Sequence, residues 1–334
     1  MAIKPARLNH GDTIAIIAPA SAPADPKAID RSIEAIQHLG FKARLSPNVR
    51  KRWGFLAGTD RERAADLMKV FLDRKVKAIL CLRGGYGTAR LLPLLDYQAI
   101  RANPKILIGY SDITSLHCAL LVRSNLVSFH GPMLNSDFLN KQVPPFTLQS
   151  FLRTLMQPFP AGSICSPRPA AEERAGKVSS VGALRKVNAP SILRRGIASG
   201  WLLGGNLSIL CTTLGTTYQP TFKNRILFLE DLDEVPYRFD RMLTHLLNAG
   251  LLQQVSGIAI GVNKNCEDPK AKTAREYRQT VEDVFKERLL PLKVPIVMGL
   301  PFGHVPFNAT LPLGVRATLD AKIGDLVINE PAVR

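Results

Sequence analysis

Three places in the chain set polar side chains among small residues in a way that could do chemistry. The first is Gly109-Tyr110-Ser111-Asp112-Ile113, directly after the apolar run Ile106-Leu107-Ile108. A serine on a sharp strand-to-helix turn has its hydroxyl lifted above the sheet and close to the positive end of a helix, as in a nucleophile elbow. Gly109 supplies the small residue two positions before the serine, but Ile113 stands where a G-x-S-x-G pattern has its second glycine. Ser-Asp is also an ordinary helix cap. The second place is Arg83-Gly84-Gly85-Tyr86-Gly87, where consecutive glycines let backbone N–H groups approach a ligand. Its G-G-x-G spacing is not G-x-G-x-x-G, and no Gly-Lys-Ser/Thr follows, so it is a weak nucleotide signal and equally a tight turn. The third is a pair of segments: Phe228-Leu229-Glu230-Asp231 ends a strand in two acids, and Gly299 to His304 sets a histidine in a Gly/Pro-rich loop. Of the six histidines, His38, His117 and His245 fall on helical faces and His10 lies near the terminus, while His130 reads as a loop hydrogen-bonding residue. His304 is the best general-base candidate, because no helical periodicity accounts for it as packing.

Positioning these groups takes alternating strands and helices. Residues 13–18, 41–45, 78–82, 106–108 and 127–129 read as short buried strands, with amphipathic helices between them. One helix, at residues 26–39, closes on Gly40, and another opens on Thr59-Asp60-Arg61-Glu62, the pattern of a capping box. Such β-α units imply a parallel sheet covered on both faces, with ligands beyond the carboxyl ends of the strands. From about residue 140 to 199 the pattern lapses into Pro, Ala, Ser and basic residues, including the stretch PRPAAEERAGKVSS, which reads as a connection. Periodicity returns at Trp201, with strands expected at 225–229 and 257–262, helices near 237–248 and 273–288, and short strands after Val294. The expected division is an N-terminal α/β domain over 1–150, a basic connection over 151–199 and a C-terminal domain over 200–334.

Composition narrows the class. With 334 residues and 46% hydrophobic content the chain has material for about two domains and a real core, which rules out disorder and fibrous repeats. No apolar run approaches the roughly 20 residues of a membrane span, and the N-terminus lacks the unbroken apolar region of a signal peptide. The five cysteines, Cys81, Cys118, Cys165, Cys211 and Cys266, are widely spaced and form no C-x-x-C pair. Neither a zinc site nor a disulfide framework is indicated, and a reducing cytoplasm is the expected location. The net charge of +17 is uneven: 21 basic against 11 acidic residues over 1–150, 8 against 2 over 151–200, and 15 against 14 over 201–334. The basic residues are scattered and lack a recognition motif, so a solvated basic surface is the plainer reading than a nucleic-acid footprint.

In order and spacing, these segments resemble the LD-carboxypeptidase family, the serine peptidases that include murein tetrapeptide carboxypeptidases and microcin C immunity proteins. The resemblance runs through Gly11-Asp12-Thr13, Ala18-Pro19-Ala20-Ser21, Arg83 to Gly87, Gly109 to Asp112, His130-Gly131-Pro132-Met133, Gly204-Gly205-Asn206-Leu207, Leu229-Glu230-Asp231, Pro236-Tyr237-Arg238 and Gly299 to His304. It implies a flavodoxin- or Rossmann-like N-terminal parallel sheet, a β-rich α/β C-terminal domain and a site between them. The family's Ser-His-Glu triad falls on Ser111, His304 and Glu230, with Asp231 a rival for the third role. The oxyanion hole falls on the backbone N–H groups of Gly85 and Asp112, and Arg83 is a candidate for a substrate carboxylate. The resemblance further implies release of the terminal D-alanine from a murein tetrapeptide in cell-wall recycling, without cofactor or metal, by a homodimer that binds neither nucleic acid nor membrane. One alternative within the family is an immunity-type hydrolase of aminoacyl-nucleotide peptides. From another class, a non-catalytic nucleotide- or nucleic-acid-binding protein would leave the Ser, Glu and His coincidence unexplained.

Overall fold

The computed structural model describes residues 1–139, 143–165, 189–267 and 279–334. The first five strands are β1 (Thr13–Ile17), β2 (Lys42–Leu45), β3 (Val76–Cys81), β4 (Ile106–Gly109) and β5 (Ser128–His130). They pair in parallel in the order β2-β1-β3-β4-β5, the flavodoxin-like winding whose ligand crevice lies at the β1/β3 switch point. Their crossovers carry α1 (Ala28–His38), α2 (Asp60–Leu72), α3 (Tyr97–Ala102) and α4 (Thr114–Ala119). Helix α2 opens on the capping box that its sequence advertises, with the Thr59 side chain accepting from the Glu62 N–H and the Glu62 side chain from that of Thr59.

Beyond α5 (Pro145–Met156) come β6 (Gly162–Ser163), β7 (Ser191–Arg194), β8 (Ile197–Asn206), α6 (Leu207–Cys211), β9 (Arg225–Glu230), α7 (Pro236–Asn248), β10 (Gly257–Val262), α8 (Val281–Leu289), β11 (Ile296–Gly303), β12 (Leu311–Leu313), β13 (Arg316–Asp320) and β14 (Asp325–Ile328). Eight of these strands form a mixed sheet in the order β6-β14-β13-β8-β9-β10-β11-β7, parallel from β8 to β11 and antiparallel outside that run. Strand β12 leaves that sheet and closes the first one, pairing antiparallel with β5 through Leu311 opposite His130.

Two findings refine the sequence reading. The first sheet is parallel only over its five sequential strands, because a strand from the far end of the chain adds an antiparallel edge. Within the stretch read as a connection, β6, β7 and the start of β8 are strands, and residues 166–188, which include PRPAAEERAGKVSS, lie outside the described residues. Residues 273–278 of the expected charged helix lie outside them too.

Side-chain alternation explains how two sheets make one molecule. On β1, Ile14 and Ile16 join a central core while Ala15 and Ile17 face α2 and α4. On β9, Ile226 and Phe228 join that same central core, while Leu227 and Leu229 face α7 and α8. One continuous apolar cluster therefore touches both sheets, which fixes the carboxyl end of β4 relative to those of β9 and β11.

Candidate active site

Ser111 is the first residue after β4 and Tyr110, and it opens a single 3-10 turn, Ser111–Ile113, that runs into α4. Its φ is +62°, a left-handed conformation that costs a non-glycine residue strain and persists only where the surroundings hold it. Here they do. Gly84 lies against it so closely that a Cβ there would stand 3.0 Å from the Ser111 Cβ and 3.2 Å from its Oγ. The turn after β3 is therefore glycine-rich because it must let the serine in. The Gly84-Gly85 peptide is carried along, at φ +113° for Gly85, and a Cβ on Gly85 would run into Ser21 after β1. Ser21 Oγ accepts the Tyr86 N–H at 3.2 Å, which ties the loops of β1 and β3 together at the switch point.

Asp112 serves this turn from below. Its carboxylate accepts the Thr88 N–H at 2.8 Å and its carbonyl accepts the Thr88 hydroxyl, so the side chain is buried in structural bonds. Burial raises its pKa, against the pull of those donors. Its N–H, in the first turn of a helix, has no intrahelical acceptor. Arg83 donates Nε to the Gly84 carbonyl at 3.3 Å and Nη1 to the Ala22 carbonyl at 3.4 Å, and among the described residues it has no carboxylate partner.

On the other sheet, His304 Nδ1 and Glu230 Oε2 are 2.7 Å apart. Glu230 ends β9 and is fully buried, and His304 follows β11 with 12% of its side chain exposed. Burial alone would lower the pKa of His304, but the hydrogen bond and charge of Glu230, with Asp231 and Asp137 behind, raise it above 6.5. A carboxylate on Nδ1 fixes the tautomer and leaves Nε2 free. The ring of Tyr110, the residue before Ser111, meets the His304 ring edge-on at 4.8 Å, so the two halves of the site are in contact.

The rival acid is occupied elsewhere. Asp231 accepts from Asn206 Nδ2 at 2.8 Å and from the N–H and hydroxyl of Ser208 at 2.9 and 2.6 Å, bracing the start of α6. Asn206 itself caps α6, accepting from the Ile209 N–H, while its own N–H donates to Thr114 Oγ1 at 3.0 Å, a bond from the second sheet to α4. A Cβ on Gly205 would collide with that same Thr114 side chain at 2.5 Å. The Gly-Gly-Asn sequence is thus the seam between the two halves. His130 differs from expectation: it ends β5 rather than lying in a loop, and both its ring nitrogens are buried without a hydrogen-bond partner among the described residues.

The LD-carboxypeptidase N-terminal domain matches residues 14–131 and the LD-carboxypeptidase C-terminal domain residues 199–319. The chain is 38% identical over 326 residues to a probable murein peptide carboxypeptidase of Bacillus subtilis, covering 98% of this chain and 94% of that protein. Its fold matches the muramoyltetrapeptide carboxypeptidase of Oxalobacter formigenes with a TM-score of 0.77 and 30% identity, over 96% of this chain and 99% of the other. It also matches the microcin C7 self-immunity protein MccF in complex with aspartyl sulfamoyl adenosine, with a TM-score of 0.84 and 26% identity, over 99% and 100% of the two chains.

Proposed function

Since this chain belongs to the LD-carboxypeptidase family and is a serine-type carboxypeptidase, we propose that it releases the terminal D-alanine of murein tetrapeptides, with Ser111 as nucleophile, His304 as base and Glu230 as its orienting acid. The observation that carries the reading is the 2.7 Å contact of His304 with buried Glu230, together with the 4.8 Å ring contact of His304 with Tyr110, the residue before a serine held at φ +62°. Ser111 Oγ attacks the peptide carbonyl carbon while His304 Nε2 takes its proton. The N–H groups of Gly85 and Asp112 receive the charge that develops on the carbonyl oxygen. As the intermediate collapses, the C–N bond breaks and His304 returns the proton to the amine of the departing D-alanine. Water then enters by the same route in reverse and hydrolyses the acyl-enzyme.

Arg83 supports the preference for a C-terminal residue. A free carboxylate taken out of water needs a charged or multiply hydrogen-bonded partner. Among the described residues, the half-buried guanidinium of Arg83 is bonded to the carbonyls of Gly84 and Ala22, so its remaining N–H groups suit that carboxylate. The test compares a free L-Ala-γ-D-Glu-diamino acid-D-Ala tetrapeptide, its C-terminal amide and an aminoacyl-sulfamoyl adenylate, with D-alanine and nucleoside product measured separately. Release of D-alanine from the free acid, and little from the amide, is expected. Cleavage of the adenylate without D-alanine release would replace this reading.

One observation favours that second reading. Trp53, Phe55 and Tyr86 are exposed on neighbouring turns, with the Phe55 and Tyr86 rings 5.7 Å apart. The turn of Trp53 and Leu56 also bridges to Ser21, so an aromatic surface on which a base can stack borders the glycine turn. Trp201 offers no such surface. It lies five residues from the Asn206 end of β8, against Arg225 and Arg316.

A further inference from the structure

Arg63, in the first turn of α2, carries a charge that takes no part in the reaction, yet it is only 2% exposed. Each of its three nitrogens donates. Nε donates to the Gly58 carbonyl at 3.2 Å, Nη1 to the carbonyls of Pro19 and, at 2.9 Å, of Gly87, and Nη2 to the Asp60 carboxylate. The three carbonyls belong to three separate loops: Pro19 follows β1, Gly58 precedes the cap of α2, and Gly87 ends the glycine turn after β3. Asp60 is held in turn by Arg90 Nε at 3.0 Å.

Taking a guanidinium out of water is costly, and well-packed apolar side chains in place of a buried ion pair are often as stable or more so. Stability is therefore a poor reason for Arg63. What a guanidinium adds is geometry, since a planar fork with donors at fixed angles sets the loops it binds at fixed distances from one plane, which a lysine ammonium does not. From that fork the connection to the nucleophile is short. The carbonyl of Gly87 and the N–H of Thr88 belong to one peptide plane, held by Arg63 on one side and, at 2.8 Å, by the Asp112 carboxylate on the other. Asp112 follows Ser111 directly. At the other end of the same turn Gly84 packs against Ser111, and its carbonyl accepts the N–H of Ser21, two residues past the Pro19 that Arg63 also holds, at 3.4 Å. Gly87 needs to be glycine here, because at φ +122° a Cβ would stand 2.9 Å from Arg63 Nη1 and 2.5 Å from Leu56 Cδ2.

We propose that Arg63 is a positioning residue for the reaction: by holding the Gly87-Thr88 peptide and the Pro19 loop on one guanidinium, it fixes the glycine turn against the Ser111 elbow. The inference rests on the reading of Ser111 as nucleophile and of the Gly85 N–H as an oxyanion donor. Arg63 touches no substrate and acts only through the backbone that it orders. Its effect should therefore fall more on turnover than on substrate binding, because an oxyanion donor meets its charge only as the transition state forms.

The test uses the full-length protein with Arg63→Met, which keeps the length and removes every donor, and Arg63→Lys, which keeps the charge and loses the fork. On whichever of the three compounds compared above the wild-type protein cleaves, kcat should fall about 10- to 100-fold in Arg63→Met, with a smaller change in KM, and less steeply in Arg63→Lys. In hydrogen–deuterium exchange, residues 84–88 should exchange faster in both variants while β3 and β4 keep their wild-type protection. If Arg63→Met does not fold, Arg63→Lys is put through the same two measurements with the same expected direction. Wild-type exchange at 84–88 overturns the proposal, as does a loosened turn with wild-type kcat. Faster exchange throughout β3 and β4 overturns it too, because Arg63 would then serve stability alone. Failure of the wild-type protein to release D-alanine would count against the substrate reading alone, since the exchange at 84–88 is measured without substrate.

Discussion

The two halves of the site are built in opposite ways. The serine half is local: strand β4, one strained residue and helix α4 follow one another within 14 residues, and the strain sits on Ser111 itself at φ +62°. The acid–base half is assembled at a distance, since Glu230 and His304 are 74 residues apart and meet only because β9, β10 and β11 lie side by side in parallel. Neither Glu230 nor His304 has a left-handed backbone. The first half thus stores its readiness in the backbone, whereas the second stores it in a buried hydrogen bond and charge. Each should therefore fail in its own way when cut.

The largest expected effect is at the serine. Ser111→Ala should lower turnover by about 10⁴- to 10⁶-fold while leaving the fold intact, because an elbow hydroxyl contributes chemistry more than packing. Ser111→Gly separates the strain from the chemistry. It should be equally inactive, yet more stable than the wild-type protein by about 1 kcal/mol, because glycine adopts positive φ without penalty. Thermal melts and single-turnover assays on both variants check this. More than a tenth of wild-type activity in Ser111→Ala, with contamination excluded, would remove Ser111 from the nucleophile's role.

At the dyad, smaller losses and a pH signature are expected. Glu230→Gln should reduce turnover by roughly 10²- to 10⁴-fold, as when the acid behind a catalytic imidazole becomes an amide. A base must be neutral to accept a proton, so wild-type kcat/KM should fall as pH drops through the His304 pKa. Glu230 holds that pKa above 6.5 against burial, which places the acid limb above 6.5. Without the carboxylate, burial remains and the limb should move below 6.5. The same pair bears on folding: a raised histidine pKa stabilises the protein fully below 6.5, and that contribution fades as pH rises through the folded value. A limb that stays in place in Glu230→Gln would show that another group sets it.

This contrast also explains what could be read from the chain. The β-α units of the first sheet, the Thr59-Glu62 capping box and the strand-Gly-Tyr-Ser turn are written in residues adjacent in sequence, and each appears within a few residues of its expected place. Glu230 and His304 were legible as strand-end candidates, but their pairing depends on strand order, which periodicity does not encode. Strand β12 falls among the short strands expected after Val294, but its place in the first sheet was hidden, because its pairing with β5 joins distant parts of the chain. Strand β7 has two half-buried residues between two exposed ones and the start of β8 alternates exposed and half-buried residues, so no long apolar run marks them. His130 looked like a loop residue because Gly131-Pro132 follows it at once, and no local pattern reveals that its ring would be buried at the end of β5.

The smallest effect on catalysis, and the sharpest check on the division of labour, is expected at Asp231. It adjoins Glu230 and is only 2% exposed, so proximity alone would make it an equal candidate for orienting His304. Its oxygens are already taken, however, by Asn206, both groups of Ser208 and the N–H of Leu232 at 2.9 Å. Its own N–H donates to Asn263 Oδ1 at 3.0 Å. Asp231→Asn replaces one acceptor by an NH₂ group that faces donors, leaving buried groups unpaired at a cost of about 1–3 kcal/mol. The melting temperature should fall accordingly, while kcat stays within a few-fold of wild type and the acid limb moves down less than it does in Glu230→Gln, because Asp231 adds only a lesser charge behind Glu230. The outcome that would reverse the assignment is an unchanged melt with a loss of kcat matching that of Glu230→Gln. Asp231 would then be acting on the imidazole, and the 2.7 Å contact between Glu230 and His304 would have to be structural.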